Sequence, residues 1–203
     1  MGQYEQQGKT PQLAIPRFWL WWAVATGIAG ALVGALEASG FQFLATVFFT
    51  GLFIGIAQWL ILRHYIPKSF WWIAVSTLGW FFGLMLMVSL DVVLDPIIQF
   101  LTRLGAWQVF WMNLVGEFVV LAILGAAQLP ILWRAVRKAY WWLPVSALGG
   151  ALQGASGSAV AYVIQPGVLS GTFVTALSYG SGWLTYGIVT GICLQWLLRH
   201  QFR

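Results

Sequence analysis

The feature that most constrains the fold of this chain is a short sequence motif that occurs three times. Three long apolar runs end in similar segments, namely Gly-Ile-Ala-Gln58-Trp-Leu-Ile-Leu-Arg63, Gly-Ala-Ala-Gln128-Leu-Pro-Ile-Leu-Trp-Arg134 and Gly-Ile-Cys-Leu-Gln195-Trp-Leu-Leu-Arg199. A few residues after a basic cluster, each apolar run of a second series begins with a tryptophan pair, at positions 21/22, 71/72 and 141/142. Internal repetition indicates an architecture more securely than local propensity does. The pattern predicts three tandem helical hairpins.

The composition places these hairpins in a membrane. Of all residues 60% are hydrophobic and 7% are charged, a balance that would leave large apolar patches on a soluble domain. The single cysteine, Cys193, excludes an intramolecular disulfide and a multi-cysteine metal site, and is predicted to be a buried small residue. Residues 1–16 are polar and are predicted to form a short cytoplasmic tail.

Six apolar runs are long enough to cross about 30 Å of hydrocarbon, which takes about twenty helical residues. Together they predict one all-α transmembrane domain over 17–199, with a pseudo-threefold arrangement of the hairpins 17–63, 70–133 and 140–199. After the third run, Asp95-Pro96 is predicted to end the span, and 96–106 to form an interfacial helix on the non-cytoplasmic side. The predicted spans are 17–39, 42–63, 70–94, 109–133, 140–164 and 172–199.

The basic residues predict the orientation of these spans. All except Arg103 fall on one side of the six-helix arrangement, so the positive-inside rule predicts that both termini are cytoplasmic. The positive charge is therefore interpreted as a topology signal, and no nucleic-acid partner is expected. The tryptophan pairs are interpreted as anchors at the cytoplasmic interface, where an amphipathic indole is favoured. The basic residues on this side are Lys9, Arg17, Arg63, Lys68, Arg134, Arg137, Lys138, Arg199 and Arg203.

Small residues recur at matched offsets along the predicted helices. Pairs of glycines four residues apart allow helix backbones to approach closely in lipid, where the hydrophobic effect does not drive helix association. The segment Gly180-Ser181-Gly182 is the one candidate for a break within a span. The glycine pairs are 30/34, 51/55, 79/83, 150/154 and 187/191.

Three repeated glutamines, Gln58, Gln128 and Gln195, are predicted to lie inside the membrane at equivalent positions. An unpaired amide in hydrocarbon costs several kcal/mol, so each glutamine needs a partner. One interpretation is that they tie the hairpins together. The other is that they form a ring that contacts a ligand or partner.

Glu117 is the one carboxylate predicted well inside the membrane, which makes it a candidate functional residue. It lies eleven residues before Gln128, three helical turns, so the two project from nearly the same helix face. Polar residues of other helices could complete a cavity open to the non-cytoplasmic side, and the alternative is a protonated or hydrogen-bonded glutamate that locks two helices together. The candidate ligand-binding residues are Glu117, Glu37, Gln153, Tyr179, Trp183 and Tyr186.

The sequence offers no clear cofactor ligands. His64 and His200 each follow a repeat arginine at the predicted water interface. They are interpreted as polar helix ends, and binding of a haem or other pigment is a weak alternative. No catalytic or metal-binding signature is present, so no enzymatic activity is predicted.

The repeated G-x-x-Q-W-x-x-L-R ends and aromatic-W-W starts resemble those of uncharacterised multi-pass membrane proteins of cyanobacteria and filamentous green bacteria. The resemblance covers Arg17 to Arg199 and departs at Leu129-Pro130, which replaces a tryptophan. It implies a bacterial plasma membrane or a thylakoid membrane, and it carries no activity or site that could be transferred.

Three functions follow as hypotheses. The first is a non-enzymatic accessory or assembly subunit of a larger bacterial membrane complex, with a membrane-protein partner or further copies of itself. The second is a membrane protein or transporter that binds a small solute or vitamin in a polar cavity around Glu117. The third and weakest is a pigment or haem binder.

Overall fold

The computed structural model describes residues 17–164 and 169–199, and confirms that this part of the chain is helical, with no β-strand. The predicted tail at residues 1–16 lies outside the described residues. The main helices are α1 (Phe18–Leu36), α2 (Thr50–Leu62), α3 (Trp71–Ser89), α4 (Asp91–Thr102), α5 (Gln108–Trp133), α6 (Trp142–Val163) and α7 (Gly171–Arg199).

The connection between α1 and α2 is a helical turn broken at one glycine. Within the segment Glu37–Phe41 the chain kinks at Gly40, whose φ of 96° glycine adopts without steric cost, and a π-helical turn at Ala45–Phe49 then leads into α2. A straight helix over Phe18–Leu62 would be about 67 Å long, more than twice the thickness of a bilayer core. The break instead lets α2 fold back into contact with α1.

Six of the main helices form a closed ring in which packing neighbours follow chain order. The contacts run from α1 to α2, α2 to α3, α3 to α5, α5 to α6, α6 to α7, and from α7 back to α1. The remaining helix, α4, contacts α3 and α5. Contact between helices far apart in the sequence is thus needed only between α1 and α7, where the ring closes.

Three indoles meet at one end of the ring. Trp22, Trp72 and Trp142 are fully buried, and their ring centroids lie 5.7 to 6.4 Å apart in edge-to-face geometry. The preceding tryptophan of each pair is exposed. The interpretation of both members as interface anchors is therefore wrong for the second member, because each helix turns that side chain inward. The exposed members are Trp21, Trp71 and Trp141.

Each buried indole N–H donates to a side-chain oxygen on the helix that precedes it in the ring. Trp72 Nε1 donates to Gln58 Oε1 and Trp142 Nε1 to Gln128 Oε1, both at 3.0 Å. Trp22 Nε1 donates instead to Thr190 Oγ1 at 3.1 Å.

The predicted equivalence of Gln195 with the other two glutamines is therefore wrong in the structure. Gln195 is half-buried, and its Oε1 accepts from the backbone N–H of Trp19 at 3.2 Å. Gly191 precedes Gln195 by four residues, whereas Gly55 precedes Gln58 by three. The extra residue rotates Gln195 by about 100° around α7.

The glycines of the repeated pairs lie where helix backbones touch. A Cβ added to Gly150 would lie 2.4 Å from the carbonyl oxygen of Glu117, and one on Gly83 would lie 2.7 Å from that of Val120. Such distances leave room for hydrogen only. Gly180 and Gly182 also pack closely, against Ala31 and Gln153, and α7 is helical throughout. The predicted break in α7 is therefore wrong, since its glycines serve packing.

Among residues 17–164 and 169–199, three helical stretches are long and apolar enough to cross a membrane, namely α3, α5 and Phe18–Leu62, which includes α1 and α2. The helices α6 and α7, with 22 and 29 residues, do not reach the same apolarity. In α6 the reason is its inner face, where Ser146 and Gln153 are buried, while Leu148 and Leu152 are exposed on the other face.

The segment after α3 differs from the prediction in its bounds. The helix α3 ends at Ser89 rather than continuing to residue 94, and Leu90 leaves the helical conformation. The helix α4 then begins at Asp91, whose carboxylate is favourable at a helix N-terminus, and contains Pro96. The predicted helix 96–106 is therefore displaced toward the N-terminus.

We expect Trp22→Ala to destabilise the protein by about 3–5 kcal/mol, because it leaves a cavity among the indoles and removes the partner of Thr190. Trp21→Ala, at the exposed neighbouring position, should change stability by no more than about 0.5 kcal/mol. Thermal unfolding in mild detergent, followed by intrinsic fluorescence, measures both. Equal effects of the two substitutions would contradict a tryptophan core.

Candidate functional site

A cavity of about 390 Å3 lies at the end of the ring away from the three indoles. Its volume is in the range of small-molecule sites, about 300–1,000 Å3. The walls come from α3, α5, α6 and α7 and from the turn between α1 and α2. Polar and aromatic lining residues are Asn113, Glu117, Gln153, Trp80, Tyr179 and Trp183.

Glu117 enters the cavity from α5, held in place by the close approach of α6. Gly150 packs on its carbonyl oxygen, and the position of a Cβ on Gly154 would be 3.0 Å from its Cγ. The carboxylate oxygen Oε2 is buried and has no hydrogen-bond partner among the described residues. No described lysine or arginine lines the cavity. The carboxylate therefore has an unfilled acceptor position.

Two further lining residues carry unpartnered polar atoms. Gln153 and Trp183 are both at least nine-tenths buried, yet Gln153 Oε1 and Trp183 Nε1 have no hydrogen-bond partner in the described chain. Leaving a buried donor or acceptor unsatisfied costs about 1–3 kcal/mol for each group. Three residues that line one cavity, Glu117, Gln153 and Trp183, thus each carry a buried polar atom without a partner.

Glu37 borders the cavity but is already satisfied by protein groups. Its Oε2 accepts hydrogen bonds from the hydroxyls of Tyr179 and Thr46. Thr46 is itself positioned by Trp80, whose Nε1 donates to the Thr46 carbonyl oxygen at 2.7 Å. This network ties the turn after α1 to α3 and α7, and gives Glu37 a positioning role at the cavity wall.

Tyr186 lies behind the cavity. It is fully buried, its hydroxyl is 2.9 Å from Ser146 Oγ, and its ring contacts Trp183 edge-to-face at 5.4 Å. It packs against the Trp183 indole on the side that faces the three buried indoles Trp22, Trp72 and Trp142. The structure therefore brings four of the six predicted residues, Glu117, Gln153, Tyr179 and Trp183, to the cavity wall, with Glu37 and Tyr186 in contact with that wall.

Sequence reasoning missed several lining residues. Asn113 precedes Glu117 by four residues on the same helix face, so helical spacing could have identified it, and its Nδ2 donates to Ser158 Oγ at 2.8 Å. Trp107 and Tyr162 stack with centroids 4.3 Å apart at the wall. No spacing rule relates these two, since Trp107 precedes α5 and Tyr162 lies on α6, and only folding brings them together.

The predicted pigment ligands gain no second ligand in the described chain. His64 is exposed, with Nδ1 3.3 Å from the carbonyl oxygen of Ile61, and His200 lies outside the described residues. Among residues 17–164 and 169–199, no group of three or more His, Cys, Asp or Glu residues is arranged to hold a metal ion.

Comparison with known proteins finds no matching family model, and neither curated proteins nor solved structures show significant similarity to this chain. The resemblance to the multi-pass proteins of cyanobacteria and filamentous green bacteria stays a prediction. The geometry of the cavity is therefore the basis for assigning a function.

We expect Gly154→Ala to destabilise the protein by about 1–3 kcal/mol, the usual cost of overpacking. The new Cβ would lie 2.3 Å from the carbonyl oxygen of Asn113, so α5 and α6 must separate and the cavity must change shape. Gly171→Ala is the matched control, because a Cβ there meets nothing within 4 Å. Thermal unfolding of both variants checks this, and an unaltered Gly154→Ala protein would refute close α5–α6 contact.

Proposed function

We propose that this chain is a six-span membrane protein that binds a small polar solute in the cavity around Glu117. The observation that carries the proposal is that three residues lining one cavity each hold a buried, unpartnered polar atom, namely Glu117 Oε2, Gln153 Oε1 and Trp183 Nε1. Of the three hypotheses raised by the sequence, solute binding is the one that this geometry favours.

The proposed spans are α1, α2 with its preceding turn, α3, α5, α6 and α7, arranged as three hairpins around a pseudo-threefold axis. Support comes from their outer faces, which expose large apolar side chains even on the less apolar helices, such as Ile188 and Ile192 on α7. The three indoles, one from each hairpin, would lie on the axis. We place the basic end, with both termini, in the cytoplasm, and the membrane in a bacterium.

In this orientation the cavity faces the non-cytoplasmic side. The stacked rings of Trp107 and Tyr162 and the turn after α1 lie at its mouth, and the indole core closes the opposite end. We propose binding rather than transport as the basic activity, because α7 has no break of the kind that marks many transport sites.

The lining residues indicate the chemistry of the solute. Two free acceptors, one of them a carboxyl oxygen, suit a molecule with hydrogen-bond donors, and the absence of lysine or arginine from the described wall leaves that carboxyl group for the ligand to match. The indoles of Trp80 and Trp183, with centroids 5.5 Å apart, add aromatic surface that favours cations. A small amine that also carries one acceptor matches the hydrogen-bonding types of all three atoms.

The accessory-subunit and pigment-binding hypotheses stay predictions, since no contact of the described chain favours either. They are separable from solute binding by simple observations on the purified protein. Copurification with a larger complex would support the first, and visible absorbance would support the second.

The proposed topology predicts the accessibility of engineered cysteines in a Cys193→Ser background. Ala106→Cys, between α4 and α5, should react with a membrane-impermeant maleimide added to intact cells. Pro67→Cys, on the loop between α2 and α3, should react only after the membrane is opened. The reverse pattern would overturn the orientation, and labelling of both positions from outside would overturn the spans.

We expect Glu117→Gln to weaken solute binding while the protein still folds, because the amide keeps the shape and cannot carry a charge. Binding is screened as thermal stabilisation of the purified full chain by a panel of small primary amines, amino alcohols and quaternary ammonium compounds, with carboxylic acids of similar size. A charge-assisted hydrogen bond contributes about 1.5–3 kcal/mol, so affinity for an amine should fall about ten- to hundredfold.

Asp95→Asn is the control for this test. Asp95 is a carboxylate on α4 that accepts from Gln99 at an exposed site outside the cavity, so its neutralisation should leave binding unchanged. Equal losses in both variants would indicate nonspecific electrostatic attraction. A panel without any stabilising compound, or an amine that stabilises Glu117→Gln as much as the natural chain, would sink the proposal.

A further inference from the structure

A second cavity, of about 660 Å3, lies at the basic end of the ring. It is formed by the loop after α2, the first turns of α3 and the last turn of α5. Lys68 and Arg134 line it together with the aromatic rings of Tyr65 and Trp71. Apolar walls continue from these rings along α3 and α5, through Val75, Pro130 and Ile131.

The two cations in this cavity have no counter-charge in the described chain. Neither Lys68 nor Arg134 forms an ion pair with any described carboxylate, since the carboxylates of that part of the chain lie toward the other end. Like charges that share a cavity repel each other, and the repulsion is relieved when an anion binds between them. The described carboxylates are Glu37, Asp91, Asp95 and Glu117.

The interface of the loop after α5 with α7 is equivalent to the one that contains Lys68 and Arg134, but an indole takes the place of the second cation. Residues 61–70 and 131–140 have the same order of buried, half-buried and exposed positions, which makes Lys138 the counterpart of Lys68. Lys138 Nζ lies 5.3 Å from the centroid of the Trp196 ring, a cation–π contact.

Arg134 occupies the position that corresponds to Trp196. Each lies six residues after the indole acceptor of its helix, Gln128 for Arg134 and Thr190 for Trp196. The loop lysine therefore lies over an indole at one interface and shares its cavity with a second cation at the other. If the loop lysine served packing alone, an indole would be the better neighbour, as Trp196 is for Lys138. Arg134 beside Lys68 therefore indicates a bound ligand.

We propose that this cavity binds the phosphate of an anionic phospholipid headgroup. The guanidinium of Arg134 suits two phosphate oxygens at once, and the Lys68 ammonium adds a second charge. The apolar walls from Val75 and Ile131 suit the start of an acyl chain, which a soluble phosphate compound lacks. The site lies on the side that we place in the cytoplasm, where anionic lipids attract basic residues. It depends on that membrane placement and is independent of solute binding at Glu117.

The test uses the purified full chain and native mass spectrometry with equal amounts of phosphatidylglycerol and phosphatidylcholine. We expect preferential retention of phosphatidylglycerol, and about a fivefold loss of that preference for each charge removed by Arg134→Trp or Lys68→Gln. Arg134→Trp recreates the pair found at Lys138 and Trp196, so it should fold. If it does not, Lys68→Gln at an exposed position carries the test.

Arg63→Gln is the matched control, because it removes one charge from the same end at a residue that stacks on Trp59 outside the cavity. Its lipid preference should equal that of the natural chain. Equal losses in the control and the cavity variants, or equal retention of the two lipids, would overturn the proposal. Displacement of phosphatidylglycerol by glycerol 3-phosphate at equal concentration would also overturn it, in favour of a soluble phosphate ligand.

Discussion

A buried indole must find an acceptor for its N–H, and in this chain three of them must do so within one cluster. The indoles of Trp22, Trp72 and Trp142 come from α1, α3 and α6 and pack together. Their N–H groups donate to side-chain oxygens of Thr190, Gln58 and Gln128, respectively. These hydrogen bonds determine which face each of the helices α7, α2 and α5 turns toward the cluster. The glycines on the facing helices then allow backbone contact along the rest of each interface. The cluster therefore sets both the closure of the ring and the register of its members.

The indole cluster also determines where the helix ring has space for a cavity. The indole end is filled by aromatic and leucine side chains, whereas small residues in α6 and α7 leave space toward the other end. The polar groups that face this space are held by neighbours that are themselves tightly packed, such as Trp183 by Tyr186 and Glu117 by Gly150. Rigid walls with unsatisfied atoms are the properties expected of a preformed binding site.

Much of this could be predicted from the sequence, because helical periodicity and repeated phrases report directly on helices and their order. Residue type alone did not separate an interfacial tryptophan from a core one, since Trp21 and Trp22 have the same identity and differ only in helix face. Gln195 was misplaced for a related reason: one added residue after Gly191 turns its side chain away, and only the packed structure shows that Thr190 replaces it. Glu117 could be identified as a carboxylate well inside a long apolar run, whereas its cavity partners on other helices depend on tertiary contacts.

The substitution of Thr190 for a third glutamine also locates the counterparts of Glu117. Eleven residues before each indole acceptor, the three proposed hairpins carry Val47, Glu117 and Tyr179. Three separate copies of one hairpin would have to place the same side chain at all three points, and three carboxylates around a common axis would repel one another. A single chain that contains all three positions is free of that restriction. Its three positions can hold one acid, one phenol and one aliphatic group.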